Sequence, residues 1–136
     1  MKLVVYADGA SRGNPGPAAI GVSVRDTNGT ELATVSEVIG IATNNQAEYR
    51  AAIEGVRLAR RLGATGIELR MDSELVVRQL AGVYKVRNPG LQPLFVELVR
   101  ELEAIGPYTV AHVPRSLNRR ADALANAALN TEAKGT

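Results

Sequence analysis

The sequence predicts an α/β domain in which a mixed sheet carries helices on its faces. Three observations predict it. The first forty residues alternate with a period of two and are broken by turn residues. The middle switches to helical spacing, and from there strands and helices take turns to the end. The resulting order, β-β-β-α-β-α-α-β-α, is a meander followed by βαβ units, which gives antiparallel pairing on one side of the sheet and parallel pairing on the other.

Each element has a local reason. "KLVVYAD" (2–8) is short, rich in β-branched residues and ends in Asp-Gly, so a buried strand running into a turn is expected. "GNPGP" (13–17) is loop chemistry, "AIGVSVRD" (19–26) alternates, "TNG" (27–29) signals a hairpin, and "TELATVSEVIG" (30–40) returns as a third strand. From Ala47 to Leu62, the positions Tyr49, Ala52, Ile53, Val56, Ala59 and Leu62 recur at helical spacing, with Gly63 as a stop. "GIELRMD" (66–72) is a second strand that ends in an acid. "SELVVRQLAG" (73–82) is a short helix capped by Ser73 or Asp72, and "YKVRNPG" (84–90) a loop. "LQPLFVELVRELEAIG" (91–106) is a helix, "YTVAHVP" (108–114) a strand, and "LNRRADALANAAL" (117–129) a last helix. Residues 1–130 are expected to form one domain and 131–136 a flexible tail.

Composition narrows the function. A chain of 136 residues with 46% hydrophobic and 22% charged residues can bury a core, which excludes global disorder. With no cysteine, disulfides and thiolate metal sites are excluded. No apolar run approaches the roughly 20 residues of a membrane span, so no membrane partner is expected. The opening "MKLVVYADGA" is too short and too acidic for a secretory signal, and a cytoplasmic location is expected. Net charge is +2, and 13 of the 16 basic residues are arginine. Arginine suits bidentate phosphate contacts, although a GC-rich or heat-adapted genome supplies it as well.

Four acids then stand out, each with an ordinary explanation. Asp8 precedes Gly9 and suits an Asx turn. Glu48 follows Asn45 at capping-box spacing. Asp72 suits the cap of the next helix, and Asp122 the positive end of the last one. Together they read differently. If the first and fourth strands are neighbours, Asp8 and Asp72 project from the same end of the sheet, while Glu48 and Asp122 border the buried stripes of their helices. Four converging carboxylates repel one another and destabilise a fold, unless hard divalent cations neutralise them; carboxylate and water are the ligands Mg²⁺ and Mn²⁺ prefer.

The blocks "YADGASRGNPGPAAIG", "TNNQAEYRAAIEG", "LRMDSELVVRQL" and "NRRADALANAA" resemble, in order and spacing, the ribonuclease H type 1 family, from about Lys2 to Asn130. The resemblance implies a five-stranded mixed sheet of order 3-2-1-4-5. It implies endonucleolytic hydrolysis of the RNA strand of RNA–DNA hybrids with two Mg²⁺ or Mn²⁺ ions, leaving 5′-phosphate and 3′-hydroxyl ends. The family's catalytic acids fall on Asp8, Glu48, Asp72 and Asp122. Asp8 is expected to bridge both ions, Glu48 to hold the nucleophile side, and Asp72 and Asp122 to complete the set. By the same resemblance the main-chain groups of Gly9, Ala10 and Ser11 and the side chains of Asn14, Asn44 and Gln46 read the minor groove and its 2′-hydroxyls, Thr43 and Asn45 meet the phosphate of the DNA strand, and Ser73 is a further substrate contact. Asn14 as plain turn chemistry and Asn45 as a pure N-cap remain open. A monomer is expected.

Two departures from the family pattern matter. Longer members carry a basic, tryptophan-bearing protrusion after the second helix; here the region is "GVYKVRNPG" and the chain has no tryptophan. Weaker hybrid binding is the expectation. Many members also have a mobile histidine before the last acid. The one histidine here, His112, falls in the fifth strand and reads as structural, whereas Arg115 lies nearer the functional position, as in short-loop, archaeal-type members. Arginine is no base at neutral pH. It suits a clamp on the scissile phosphate, and short-loop members raise double-stranded RNA as a second substrate. The competing readings are a binding module that kept the fold, a related nuclease with another substrate, and a small-molecule phosphohydrolase.

Overall fold

The computed structural model describes residues 1–135, with side chains placed through Glu132. Its elements are β1 (Lys2–Ser11), β2 (Gly16–Arg25), β3 (Glu31–Ala42), α1 (Asn44–Arg61), β4 (Gly66–Met71), α2 (Glu74–Leu80), α3 (Gln92–Ile105), β5 (Tyr108–His112) and α4 (Arg119–Gly135). A 3₁₀ turn over Arg115–Leu117 leads into α4. The sheet order is β3-β2-β1-β4-β5, antiparallel through β3-β2-β1 and parallel through β1-β4-β5, as expected.

Layering follows from burial. Leu3, Val5 and Ala7 of β1 and Ile20, Val22 and Val24 of β2 are fully covered. α1 lies over this face, lined with small residues (Ala47, Ala51, Ala52, Gly55 and Ala59) that let its backbone come close. α4 covers the opposite face with Ala121, Ala125 and Leu129. Each fully buried branched side chain contributes about 1.5–3 kcal/mol, so these two layers hold the strands that carry the site.

Several boundaries differ from expectation, each for a physical reason. Asp8-Gly9 is no turn: β1 continues, pairing Gly9 with Ile20, Ala10 with Ala19 and Ser11 with Ala18. The loop after it is shorter than 13–17, because Arg12 N–H bonds Pro17 C=O at 2.8 Å and β2 starts at Gly16. β3 runs past Gly40 to Ala42 through a bulge, where Ala18 pairs Gly40 but Ala19 pairs Val38, leaving Ile39 as the extra residue. Gly40, at φ +83°, supplies the left-handed conformation such a bulge uses.

The start of α1 also needs correction. Asn45 and Glu48 form no capping box. The N-cap is Thr43, whose Oγ1 accepts the Gln46 N–H at 3.1 Å while Gln46 Oε1 accepts the Thr43 N–H at 2.9 Å. β3 delivers the chain directly to Thr43, so the helix begins earlier than Ala47 and Glu48 falls beyond the first turn. Asp72 is no cap either, because Ser73 Oγ accepts the Val76 N–H at 3.3 Å. α4 continues past Asn130 to Gly135, because "TEAK" offers no helix breaker; of the expected tail, only Thr136 lies outside the described residues.

Candidate active site

Two glycines set the distances on which the site depends. A Cβ on Gly9 would lie 2.2 Å from Ala47 C and 2.4 Å from Glu48 N, so bare backbone at Gly9 lets α1 bring Glu48 against β1. A Cβ on Gly21 would lie 2.0 Å from Ala121 O. Gly21 pairs with Asp8 across β1-β2, so the same device brings α4, and Asp122 with it, against the strand position opposite Asp8. Neither glycine is identifiable from local sequence, since each contacts residues far along the chain. Gly21→Ala is expected to push α4 outward, costing about 1–3 kcal/mol of stability. Turnover should fall more than ten-fold at temperatures where the variant is still folded, as 1 Å misplacements cost up to about 10²-fold. Thermal unfolding and initial rates on one preparation check this.

The acids converge as expected. Oxygens of Asp8, Glu48 and Asp72 lie within 4.8 Å of one another, the one such carboxylate trio among the described residues. Asp122 is near enough to Asp8 to raise its pKa, and its Oδ1 accepts Asn126 Nδ2–H at 3.1 Å, holding it at the rim of the trio. Asp8 is 7% and Glu48 6% exposed. Gly9 N–H donates to Glu48 Oε1 in a short bond that aims the carboxylate at the strand end.

Electrostatics show what the cluster lacks. Burial, and then the neighbouring Glu48, push the Asp8 carboxyl up to about 10. Burial pushes Glu48 up to about 7, against the opposing pull of the Gly9 N–H and the Asp8 hydrogen bond. Buried this close together, the two carboxyls resist ionising at the same time. The nearest cationic side chain is Arg115, Nε 3.7 Å from Asp72 Oδ2, and it is 88% exposed. An all-oxygen, partly buried, under-neutralised cluster fits a hard divalent cation, which would take the place of a proton.

The remaining candidates divide in two. Gly9, Ala10, Asn44, Asn45 and Ser73 line the cleft with the acids and Arg115. Ser11, Asn14, Thr43 and Gln46 stand beside it with side chains engaged internally. Ser11 Oγ donates to Ala42 C=O at 2.8 Å, Asn14 Oδ1 accepts the Asn44 N–H at 3.1 Å, and Thr43 and Gln46 close the cap. Asn14 therefore braces the β1-β2 turn against α1, and Asn45 is not the N-cap. His112 is exposed on β5, its Nε2 3.3 Å from the Asp72 main-chain oxygen. Four residues at the site were not anticipated: Glu74, Leu75 and Asn126 on the cleft wall, and Asn118, which touches Asp72.

The chain matches the family described as "Reverse transcriptase-like" over residues 6–128. It is 47% identical over 129 residues to a ribonuclease HI of Halobacterium salinarum, covering 95% of this chain. The chain belongs to the ribonuclease H type 1 family. It spans 65% of the length of that H. salinarum protein. The crystal structure of an RNase H1 from the same halophilic archaeon superposes with a TM-score of 0.94 at 45% identity, covering 96% of this chain and 99% of that one. LC11-RNase H1, crystallised in complex with an RNA/DNA hybrid, superposes with a TM-score of 0.91 at 41% identity over 96% of this chain and 98% of that one. Ribonuclease H enzymes are metal-dependent, and the acid trio here offers ligands of the matching kind. No helix among the described residues is long and apolar enough to cross a membrane.

Proposed function

We propose that this domain hydrolyses the RNA strand of RNA–DNA hybrids, with Mg²⁺ or Mn²⁺ held by Asp8, Glu48, Asp72 and Asp122 as a two-ion site. The observation that carries the reading is the carboxylate cluster at the β1-β4 strand ends, on a backbone that superposes on a relative crystallised with such a hybrid. Cations held there would supply Lewis acidity toward the scissile phosphodiester and would lower the pKa of the attacking water. The chain's own contribution is placement. Gly9 N–H orients Glu48, Asp8 presents a buried carboxylate beside it, and Asn126 steadies Asp122 at the rim. The products carry 5′-phosphate and 3′-hydroxyl ends.

Recognition is assigned to the cleft wall. Main-chain groups of Gly9 and Ala10, with the side chains of Asn44 and Asn45 and the Ser73 hydroxyl, face the cleft and suit 2′-hydroxyl and minor-groove contacts. Ser11, Asn14, Thr43 and Gln46 act by holding that wall in shape. Residues 1–130 are taken as the catalytic unit, working as a monomer in the cytoplasm. The short α2–α3 connection carries only Lys85 and Arg87 as basic residues, so hybrid binding is expected to be weaker than in members with a basic protrusion. A dissociation constant equal to theirs at matched salt contradicts that.

Arg115 has an exposed guanidinium beside Asp72. It is free to meet a phosphate, and we assign it that role on both the hybrid and double-stranded RNA. Arg115→Ala is expected to lower turnover about ten-fold or more on each, the scale of losing one electrostatic donor. Undiminished turnover on both removes the role. The broader reading is tested by offering hybrid, double-stranded RNA, double-stranded DNA and a phosphomonoester side by side. Cleavage of hybrid supports it; binding of hybrid without cleavage points to a non-catalytic module.

A further inference from the structure

Asn118 lies between the two acid-bearing strands although it belongs to neither. It sits just before α4, is 1% exposed, and its carbonyl accepts the Asp122 N–H at 3.1 Å. Its Nδ2 donates twice, to Ala7 C=O at 3.0 Å and to Asp72 Oδ1 at 2.9 Å. Both partners are acceptors, which fixes the orientation of the amide: the nitrogen faces the strands and Oδ1 faces away. That Oδ1 is buried without a hydrogen-bond partner in the protein.

The location explains the need. The β1-β4 ladder closes with Tyr6 paired to Arg70, and β4 ends at Met71 before the chain turns into α2. Past that pair the two strands are free to separate, at the point where each presents an acid. Asn118 spans the opening with one hydrogen on the carbonyl preceding Asp8 and the other on the Asp72 carboxylate. Asp72 Oδ2 is left on the Arg115 side, 3.7 Å from Nε.

We propose that Asn118 is a positioning residue that sets the spacing of Asp8 and Asp72 and locks the Asp72 rotamer, leaving its second oxygen for a cation. Its effect on turnover rests on the nuclease reading above; its effect on cation binding rests on the cluster alone. A buried amide of this kind acts on the bound ion through the ligand it orients.

The test compares Asn118→Ala and Asn118→Asp with a core control, Leu102→Ala, whose buried side chain is in α3. Three quantities are read: Mn²⁺ affinity by calorimetry without substrate, kcat and KM on hybrid, and the thermal midpoint. Asn118→Ala is expected to bind Mn²⁺ about 10–100-fold more weakly and to lose kcat by a similar factor, with KM changed less than about two-fold. Asn118→Asp keeps Oδ1 but loses both donated bonds and adds a charge beside Asp72, so it should do no better than Ala. Leu102→Ala should lower the midpoint and leave Mn²⁺ affinity and kcat intact. Unchanged Mn²⁺ affinity in Asn118→Ala, wild-type behaviour of Asn118→Asp, or equal losses in the core control each overturn the proposal. If the parent protein cleaves no hybrid, the nuclease reading fails and the Mn²⁺ titration still decides for or against Asn118.

Discussion

Asp8→Asn is expected to abolish hybrid cleavage while making the cation-free protein more stable. Asp8 lies in the cluster with Glu48, Asp72 and Asp122 close enough that each raises its pKa. An amide keeps the shape but gives up the anionic oxygen that would hold a cation. Turnover should fall by roughly 10³-fold or more, about 4 kcal/mol of transition-state stabilisation. The same substitution removes a buried carboxyl pressed against other carboxyls, so the unfolding midpoint without cations should rise. Opposite signs on activity and stability separate this account from general damage, which lowers both. A variant retaining a tenth of wild-type turnover would remove Asp8 from its assigned role.

Raising the pH without divalent cations should destabilise the wild-type protein. Asp8 is pushed up to about 10 and Glu48 to about 7, whereas in the unfolded chain both revert to the ordinary carboxylate range near 4. Between those limits the folded protein holds protons that the unfolded chain has released, so stability falls as pH rises. The contribution is fully present below about pH 4, declines through about pH 7 as Glu48 ionises, and declines further toward about pH 10 with Asp8. Glu48 alone accounts for a loss on the order of 3 kcal/mol, or about 10 °C in the midpoint of a domain this size, and Asp8 adds to it over the same range. Mg²⁺ or Mn²⁺ should restore stability, and more at pH 8 than at pH 5, because binding then displaces fewer protons. Asp8→Asn should flatten the profile. Thermal unfolding across pH in chelator and in cation checks both statements; a flat wild-type profile, or one that Asp8→Asn leaves unchanged, contradicts them.

How the sequence encodes this site differs from residue to residue. Asp8 and Asp72 are legible because each stands at the end of a strand-like run, Asp8 after an apolar one and Asp72 after one that alternates. The sheet order follows from the same periodicity once the family resemblance is added. Glu48 is legible as an inward-facing acid from its place beside the buried stripe of its helix, but its expected capping role is wrong: Thr43 and Gln46 form the cap, and Glu48 is held by an N–H on β1. Asp-Gly at 8–9 suggests a turn by local preference, yet tertiary contact decides it, since the missing Cβ is needed where α1 crosses the strand. Asn118 gives no local signal. Its partners, Ala7 and Asp72, lie 111 and 46 positions away, and only the folded chain brings them together.

The most direct measurement is cleavage of an RNA–DNA hybrid labelled on either strand in turn, with Mg²⁺ or Mn²⁺, by the wild type and by Asp72→Asn. The account predicts cuts confined to the RNA strand, 5′-phosphate products, and loss of cutting with the variant or with chelator. A folded wild-type protein that cuts neither strand with either cation, or an Asp72→Asn variant that cuts as well as the parent, would contradict it.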